Sequence, residues 1–187
     1  MIENVVIETQ RLIIRPYTLK DSSEVFSVLK DKKIYEYLPD KPYESLEEVE
    51  GLIDWIISNY DSTTESDFKY CFAVIEKATG KHVGLCGIGY LDYDRTQAEV
   101  FYRFGTKYWG KGFATETAKA LLQFGFIGLG LHEIVAVVKP ENIASKKVIE
   151  KVGFKYKGIV RGVPLEHSFY DGELYYSLSK EEFMKLS

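Results

Sequence analysis

The sequence predicts a single α/β domain that holds a phosphate or pyrophosphate, and three observations predict it. The chain of 187 residues, 45% apolar and 28% charged, has the length and composition of one globular domain with a sizeable core. Residues 99–104, Glu-Val-Phe-Tyr-Arg-Phe, read as an aromatic and branched strand. It runs through Gly110 and Gly112 into a helix with Ala114, Ala118, Leu121 and Gly125 on one face. After that helix, residues 132–138 form a second apolar run, so the two strands should lie parallel in a βαβ unit. A strand entering a helix through glycine is an anion-binding arrangement. Glycine lets the backbone approach the ligand, and the first helical N–H groups lack internal acceptors.

The elements follow in order. Residues 5–17 read as an opening strand, bent or bulged around Thr9-Gln10-Arg11. Thr18 offers an N-cap with Asp21 three residues on, ahead of a short helix through Val25, Phe26 and Leu29. Residues 35–43, with Pro39 and Pro42, form a loop. Ser45 and Glu48 make a capping box for an amphipathic helix of Val49, Leu52, Ile53, Ile56 and Ile57 that ends near Tyr60. The polar run 61–67 is a loop. Residues 70–76 and 82–91 make a hairpin around Gly80. Gly84, Gly87 and Gly89 in its second strand point to a bulge or a close backbone approach. Residues 92–96 turn the chain into the strand 98–104, and the long helix spans about 112–126 until Gly128 and Gly130 stop it. Pro140-Glu141-Asn142 opens the last helix, with Ala144, Val148 and Val152 on one face and Gly153 at its end. Residues 154–161 and 168–178 close the chain as strands, with a turn signal at Asp171-Gly172.

Composition narrows the function. A net charge of −4 speaks against a nucleic-acid partner and suits a cationic or amine-bearing ligand. With no long apolar run and no signal pattern at residues 1–10, no membrane partner is expected and the location should be cytoplasmic. Cys71 and Cys86 sit in apolar runs and read as buried reduced thiols. His82, His132 and His167 lack ligand spacing, so no metal is expected. Fourteen Tyr and eleven Phe serve core and sheet, with some left to line a cleft.

Three templates compete for the loop. A dinucleotide fingerprint fails because Thr115 stands where the third small residue is needed. Gly105 to Lys111 has P-loop spacing, but Gly112 replaces the metal-binding hydroxyl and bulky Tyr108-Trp109 sits inside the loop. The third template fits. Lys107-Tyr108-Trp109-Gly110-Lys111-Gly112 resembles the pyrophosphate loop of the GNAT superfamily of acetyl-CoA-dependent N-acetyltransferases, with Lys107 in the Gln/Arg place. Residues 108–116, Tyr-Trp-Gly-Lys-Gly-Phe-Ala-Thr-Glu, are similar to the RimJ/RimL branch, the ribosomal-protein N-terminal acetyltransferase type. Residues 9–16, Thr-Gln-Arg-Leu-Ile-Ile-Arg-Pro, independently resemble the N-terminal signature of that branch. Residues 138–154 resemble the second acetyl-CoA motif of the superfamily, and the likeness extends to the closing strands.

That resemblance implies one N-acetyltransferase domain over residues 1–187. Its sheet would be mixed, mostly antiparallel and twisted, with a splayed parallel strand pair and flanking helices (α/β, or α+β by some schemes). It implies acetyl-CoA as cosubstrate, held at the pyrophosphate by Lys107, Trp109, Gly110, Lys111, Gly112, Phe113, Ala114 and Thr115. The backbone of Tyr102, Arg103 and Phe104 would pair with the peptide-like pantetheine arm, and Asn142 would contact it while also capping its helix. Glu99 matches the branch's Glu-x-Gly-Tyr pattern and is the implied base; its alternation with Val100 leaves a solvent-facing reading open. Ser145 is the implied acid or orienter at the sulfur, which also places it among the cofactor contacts. The chain departs from the family at Ile149, where many members carry a tyrosine acid, and at Phe101, where the branch has glycine. Tyr35, Tyr37 and Trp55 either pack or line the acceptor wall.

The reading is an N-acetyltransferase that moves acetyl from acetyl-CoA to a primary amine, a protein N-terminus or a small molecule, by direct attack in a ternary complex. The expected state is monomer or homodimer. The alternative is a catalytically inactive CoA-binding or regulatory module, and a nucleotide-binding P-loop protein comes third.

Overall fold

The computed structural model describes residues 2–63 and 67–186. One sheet of eight strands runs through the domain. The strands are β1 (Ile7–Glu8), β2 (Leu12–Pro16), β3 (Lys69–Glu76), β4 (His82–Leu91), β5 (Asp94–Phe104), β6 (Glu133–Val138), β7 (Lys155–Ile159) and β8 (Leu174–Ser179). Spatial order follows chain order except at the end, where β8 lies between β6 and β7. Every neighbouring pair is antiparallel except β5–β6. The helices are α1 (Ser22–Leu29), α2 (Leu46–Ser58), α3 (Phe113–Gln123), α4 (Ile143–Lys151) and α5 (Lys180–Met184).

Strand alternation assigns the two faces of the sheet. Phe72, Cys86 and Tyr102 are cross-strand partners on one face, where Phe72 meets Phe124 edge-on at 5.7 Å. Cys71, Gly87 and Phe101 are partners on the other, which looks toward α2. The core runs continuously between sheet and helices and includes Leu12, Ile14, Phe72, Ile88, Leu121, Phe126 and Leu178.

The glycines of β4 act by close approach. A Cβ on Gly87 would stand 2.3 Å from Phe101 Cζ, and one on Gly84 2.3 Å from the Arg103 carbonyl oxygen. Gly87 therefore makes the space that Phe101 fills, which explains how a phenylalanine replaces the family glycine across the ladder. The register shifts lie elsewhere, at Val74/Ile75 and Tyr90/Leu91.

Several expected elements change. The opening segment is two short paired strands, because Thr9 folds back and its backbone N–H reaches the Leu12 carbonyl. At the start of α2, Ser45 Oγ accepts the Glu48 N–H, but the Glu48 carboxylate takes the Glu44 N–H instead of closing a box on Ser45. Residue Tyr35 belongs to a short 3-10 turn, Lys32–Tyr35, and is buried in the core. Part of the expected loop 61–67 lies outside the described residues. Strand β5 begins at Asp94, so the turn is shorter than expected. Beyond α3 the chain continues as a π-helical turn, Phe124–Gly128. On α4 Ile149 is buried and Val148 packs against the core as expected, Val152 is buried at the C-cap, and Ala144 is exposed. Residues 165–170 form a 3-10 turn, Leu165–Tyr170, so the closing strand starts only at Leu174. The chain ends on α5, whose Ser179 and Glu182 form a capping box that the sequence reading passed over.

Candidate active site

The strands β5 and β6 share a single bridge, Glu99 with Val135. Beyond it they part, and a cleft of about 370 Å³ opens along the seam. Its walls include Tyr37, Trp55, Cys71, Glu99, Tyr102 and Ser145.

At the far end of β5 the chain turns through Gly105 and a short 3-10 segment, Thr106–Tyr108, into α3. Gly110 has φ +73° and Gly112, the N-cap of α3, has φ +81°. Both conformations are ones that glycine adopts without steric cost. The first intrahelical acceptor here is Gly112, whose carbonyl takes the Glu116 N–H. The N–H groups of Phe113, Ala114 and Thr115 therefore precede the helical ladder and point out of the helix start. Lys107, Lys111 and Gly110 are exposed around this turn. The Trp109 indole donates to the Phe104 carbonyl at 2.8 Å, so that carbonyl is occupied within the protein. Of the expected backbone partners on 102–104, this one is spoken for.

The loop is braced from the opposite end of the sequence. Thr9 Oγ1 donates to Glu116 at 2.6 Å, the Arg11 backbone N–H at 2.8 Å and Arg11 Nε at 2.7 Å. Arg11 Nη1 also donates to the Lys111 carbonyl at 2.8 Å, and its guanidinium lies over the Phe113 ring. Burial would raise the Glu116 pKa, but the Thr9 and Arg11 hydrogen bonds outweigh it and hold the carboxyl below its ordinary value. Glu116→Ala is expected to cost about 2 kcal/mol, the worth of charge-assisted hydrogen bonds. Because the folded pKa is depressed, that stability is present above the ordinary carboxylate range and is lost as pH falls through the folded pKa. Denaturant titration of both proteins at about pH 7 and about pH 3 checks this, and the gap should narrow at the acid end.

Glu99 stands at the point where the seam opens. It is 7% exposed, so the solvent-facing reading is corrected. Burial pushes its pKa up to about 8, Lys69 opposes the rise, and Asp92 and Glu173 add to it. Lys69 Nζ lies 3.8 Å from Glu99 and 2.6 Å from Asp92. Burial pulls the Lys69 ammonium down, but Glu99 and Asp92 outweigh it and hold it above its ordinary value. Tyr170 donates to the other Asp92 oxygen at 2.7 Å. Glu173, 3.4 Å from Lys139, is pushed up to about 7 by burial. Sequence reasoning missed Lys69, Asp92, Lys139, Tyr170 and Glu173. They lie in separate strands and loops with no motif spacing, and only an inward lysine at the start of an apolar strand hinted at them.

On the other side, α4 brings Asn142 and Ser145 to the cleft. Asn142 is the N-cap, its Oδ1 accepting the Ser145 N–H at 3.1 Å. Ser145 Oγ lies 3.0 Å from the Tyr102 hydroxyl. Burial pushes the Tyr102 phenol up to about 12, with the Ser145 contact pulling the other way. Ile149, one turn on, is buried and lines the same wall. Tyr37 and Trp55 line the cleft, while Arg103 pairs with Asp40 at 2.5 Å and lies over the Tyr35 ring. Lys107 and Lys111 both lie over the Tyr108 ring, at 5.0 and 5.3 Å. Cys71 also lines the cleft, its thiol pushed up to about 12 by burial. Among the described residues, no group of three or more His, Cys, Asp and Glu is placed to hold a metal ion, and no helix is long and apolar enough to cross a membrane.

Comparison with known proteins gives a consistent picture. The family profile described as "Acetyltransferase (GNAT) domain" matches residues 11–155. The uncharacterized N-acetyltransferase p20 of Bacillus licheniformis is 31% identical over 153 residues, covering 82% of this chain and 84% of that protein. The solved acetyltransferase (GNAT family) from Bacillus anthracis superposes with a TM-score of 0.76 at 28% identity, over 95% of this chain and all of that one. Mycobacterium smegmatis RimJ, solved in complex with CoA-disulfide, superposes with a TM-score of 0.77 over 95% of this chain and 88% of that one. At 19% identity this is a likeness of fold.

Proposed function

The chain belongs to the acetyltransferase (GNAT) family, and from that premise we propose that it transfers acetyl from acetyl-CoA to a primary amine by direct attack, as a RimJ/RimL-like member. The observation that carries this reading is the buried Glu99 at the point where β5 and β6 part, with the glycine-led start of α3 at the far end of the same strand.

The residues present fit the cosubstrate. The αL N-cap Gly112 and the outward N–H groups of Phe113, Ala114 and Thr115 suit a pyrophosphate, with Lys107 and Lys111 adding positive charge. The unpaired edges of the open seam suit a peptide-like arm, which would add to β5 as a strand does. The bound group supplies an activated acetyl on a thioester.

Glu99 prepares the acceptor. An incoming ammonium must lose a proton before its nitrogen can attack, and an α-amine has a pKa of about 8. A carboxylate whose own pKa is raised to about 8 is matched to that proton. The nitrogen would then bond to the acyl carbon as the carbon–sulfur bond breaks, and the Tyr102 and Ser145 hydroxyls, 3.0 Å apart in the cleft, would serve the departing sulfur. Direct attack is supported by Cys71, the cleft cysteine. Its raised pKa keeps it a thiol, unsuited to carrying an acyl group. Asp92, Glu99 and Glu173 share the cleft with Lys69, Lys139 and Arg103, and the acceptor is an amine, either a protein N-terminus or a small molecule.

Asn142→Ala separates capping from ligand contact. It is expected to cost about 1 kcal/mol of stability and to raise KM for acetyl-CoA. If stability falls while KM holds, Asn142 is a cap alone. The whole reading is tested by acetyl-CoA-dependent thiol release over a panel of peptides with different N-termini and small amines. A protein that binds CoA yet releases no thiol with any acceptor is an inactive CoA-binding module, the reading that the apolar Ile149 favours.

A further inference from the structure

We propose that Tyr102 is the residue that gives a proton to the departing sulfur, and that Ser145 positions it. The proposal deepens the acetyl-transfer reading and rests on it. Tyr102 Oη and Ser145 Oγ are 3.0 Å apart, and both side chains line the open seam. Ser145 is fixed by the first turn of α4, where its N–H is held by Asn142. Tyr102 is fixed by β5 and by its ring contact with Phe104. The side-chain contact can run either way, and the Ser145 carbonyl at 3.5 Å also accepts from the phenol at the limit of a hydrogen bond; with the serine hydroxyl donating, the phenol hydrogen can turn from that carbonyl to a third group. The serine hydroxyl also stabilises the phenolate left after that hydrogen departs. A phenol is the stronger acid of the two hydroxyls. One turn further along α4 the wall is the buried Ile149, so that position brings no ionisable group.

The placement along β5 completes the argument. Glu99 and Tyr102 are three residues apart on one strand, so their side chains leave opposite faces of the sheet. A group lying in the seam between β5 and β6 therefore has its proton acceptor on one face and its proton donor on the other. In the tetrahedral intermediate nitrogen and sulfur are separate substituents of one carbon, so an acceptor on one face and a donor on the other serve them without competing.

The step balances as follows. The amine nitrogen–carbon bond forms and the carbon–sulfur bond breaks. The ammonium proton passes to Glu99 before attack, the bonded nitrogen releases its second proton to solvent as the amide forms, and the sulfur takes the phenol hydrogen. The Tyr102 phenolate, held by the Ser145 hydroxyl, regains a proton from solvent while Glu99 returns its own to solvent. One acetyl group is transferred and one thiol released.

The test compares CoA with desulfo-CoA by calorimetry, which reads the sulfur contact without turnover. Wild type should bind CoA about fivefold more tightly than desulfo-CoA, the worth of one hydrogen bond. Tyr102→Phe should bind the two equally, with desulfo-CoA affinity unchanged. Ser145→Ala should keep part of the preference. In turnover, Tyr102→Phe should lose about 10²-fold in kcat, and adding Ser145→Ala should cost little more, since Ser145 acts through Tyr102. Equal binding of the two ligands by wild type overturns the proposal. So does a preference kept by Tyr102→Phe, or one abolished by Ser145→Ala alone, and the last arm decides even if Tyr102→Phe fails to fold. A wild-type protein that binds neither ligand refutes the acetyl-transfer reading itself, which is a different result.

Discussion

Gly112→Val is expected to abolish CoA binding, weakening it by about 10²-fold or more while the domain still folds. Gly112 caps α3 at φ +81°, a conformation that costs a side-chain-bearing residue about 1–2 kcal/mol and a β-branched one more. The substituted backbone would leave that region and re-aim the N–H groups of residues 113–115. Space around the new Cβ is not the obstacle, because its nearest neighbour is the Arg11 guanidinium at 3.4 Å. Calorimetry with CoA, beside a thermal melt to show that the fold survives, checks this. An unchanged affinity in a folded mutant would remove the loop from the binding site.

Glu99→Gln should lower kcat/KM by about 10²-fold near neutral pH. The side chain keeps its size and loses its capacity to accept a proton. Since the carboxylate is the working form, wild-type activity should rise with pH through about 8, the raised value of Glu99, and not near the ordinary 4.5. The deficit of the mutant should shrink toward about pH 9, where an α-amine acceptor is mostly neutral. Rate profiles from roughly pH 6 to about 9 with the true acceptor decide it. Matching profiles for the two proteins would assign proton removal to water or to a backbone carbonyl.

What was legible in the sequence was local. Glycines two apart after an aromatic strand announce a turn and a helix start, and Asn142 after proline announces a cap. Both are produced by neighbouring residues acting on their own backbone. The parallel relation of β5 and β6 followed from the helix between them. What stayed hidden depends on distant partners. Nothing local marks Glu116 as the anchor for Thr9 and Arg11, more than 100 residues away in the chain. Phe101 looked like a departure from its family until Gly87 was found to vacate the space opposite. The charged floor of the cleft gathers Lys69, Asp92, Glu99, Lys139 and Glu173 from two strands and three connections, and no spacing rule records that meeting. The seam itself was expected only from resemblance, because a missing ladder leaves no mark on the residues that lack it.

Burial of the two raised carboxylates couples folding to proton uptake. Glu99 at about 8 and Glu173 at about 7 hold protons in the native chain that an unfolded chain, with carboxyls near 4.5, releases. Stability from these two groups is therefore complete below the ordinary carboxylate value. It drains away as pH rises, through about 7 for Glu173 and through about 8 for Glu99. The alkaline range that arms Glu99 as a base is thus the range in which the ligand-free fold surrenders that contribution. A bound acceptor cation would restore part of it by adding a second positive partner to the ionised Glu99 beside Lys69, so substrate and proton compete to hold the same corner of the fold together.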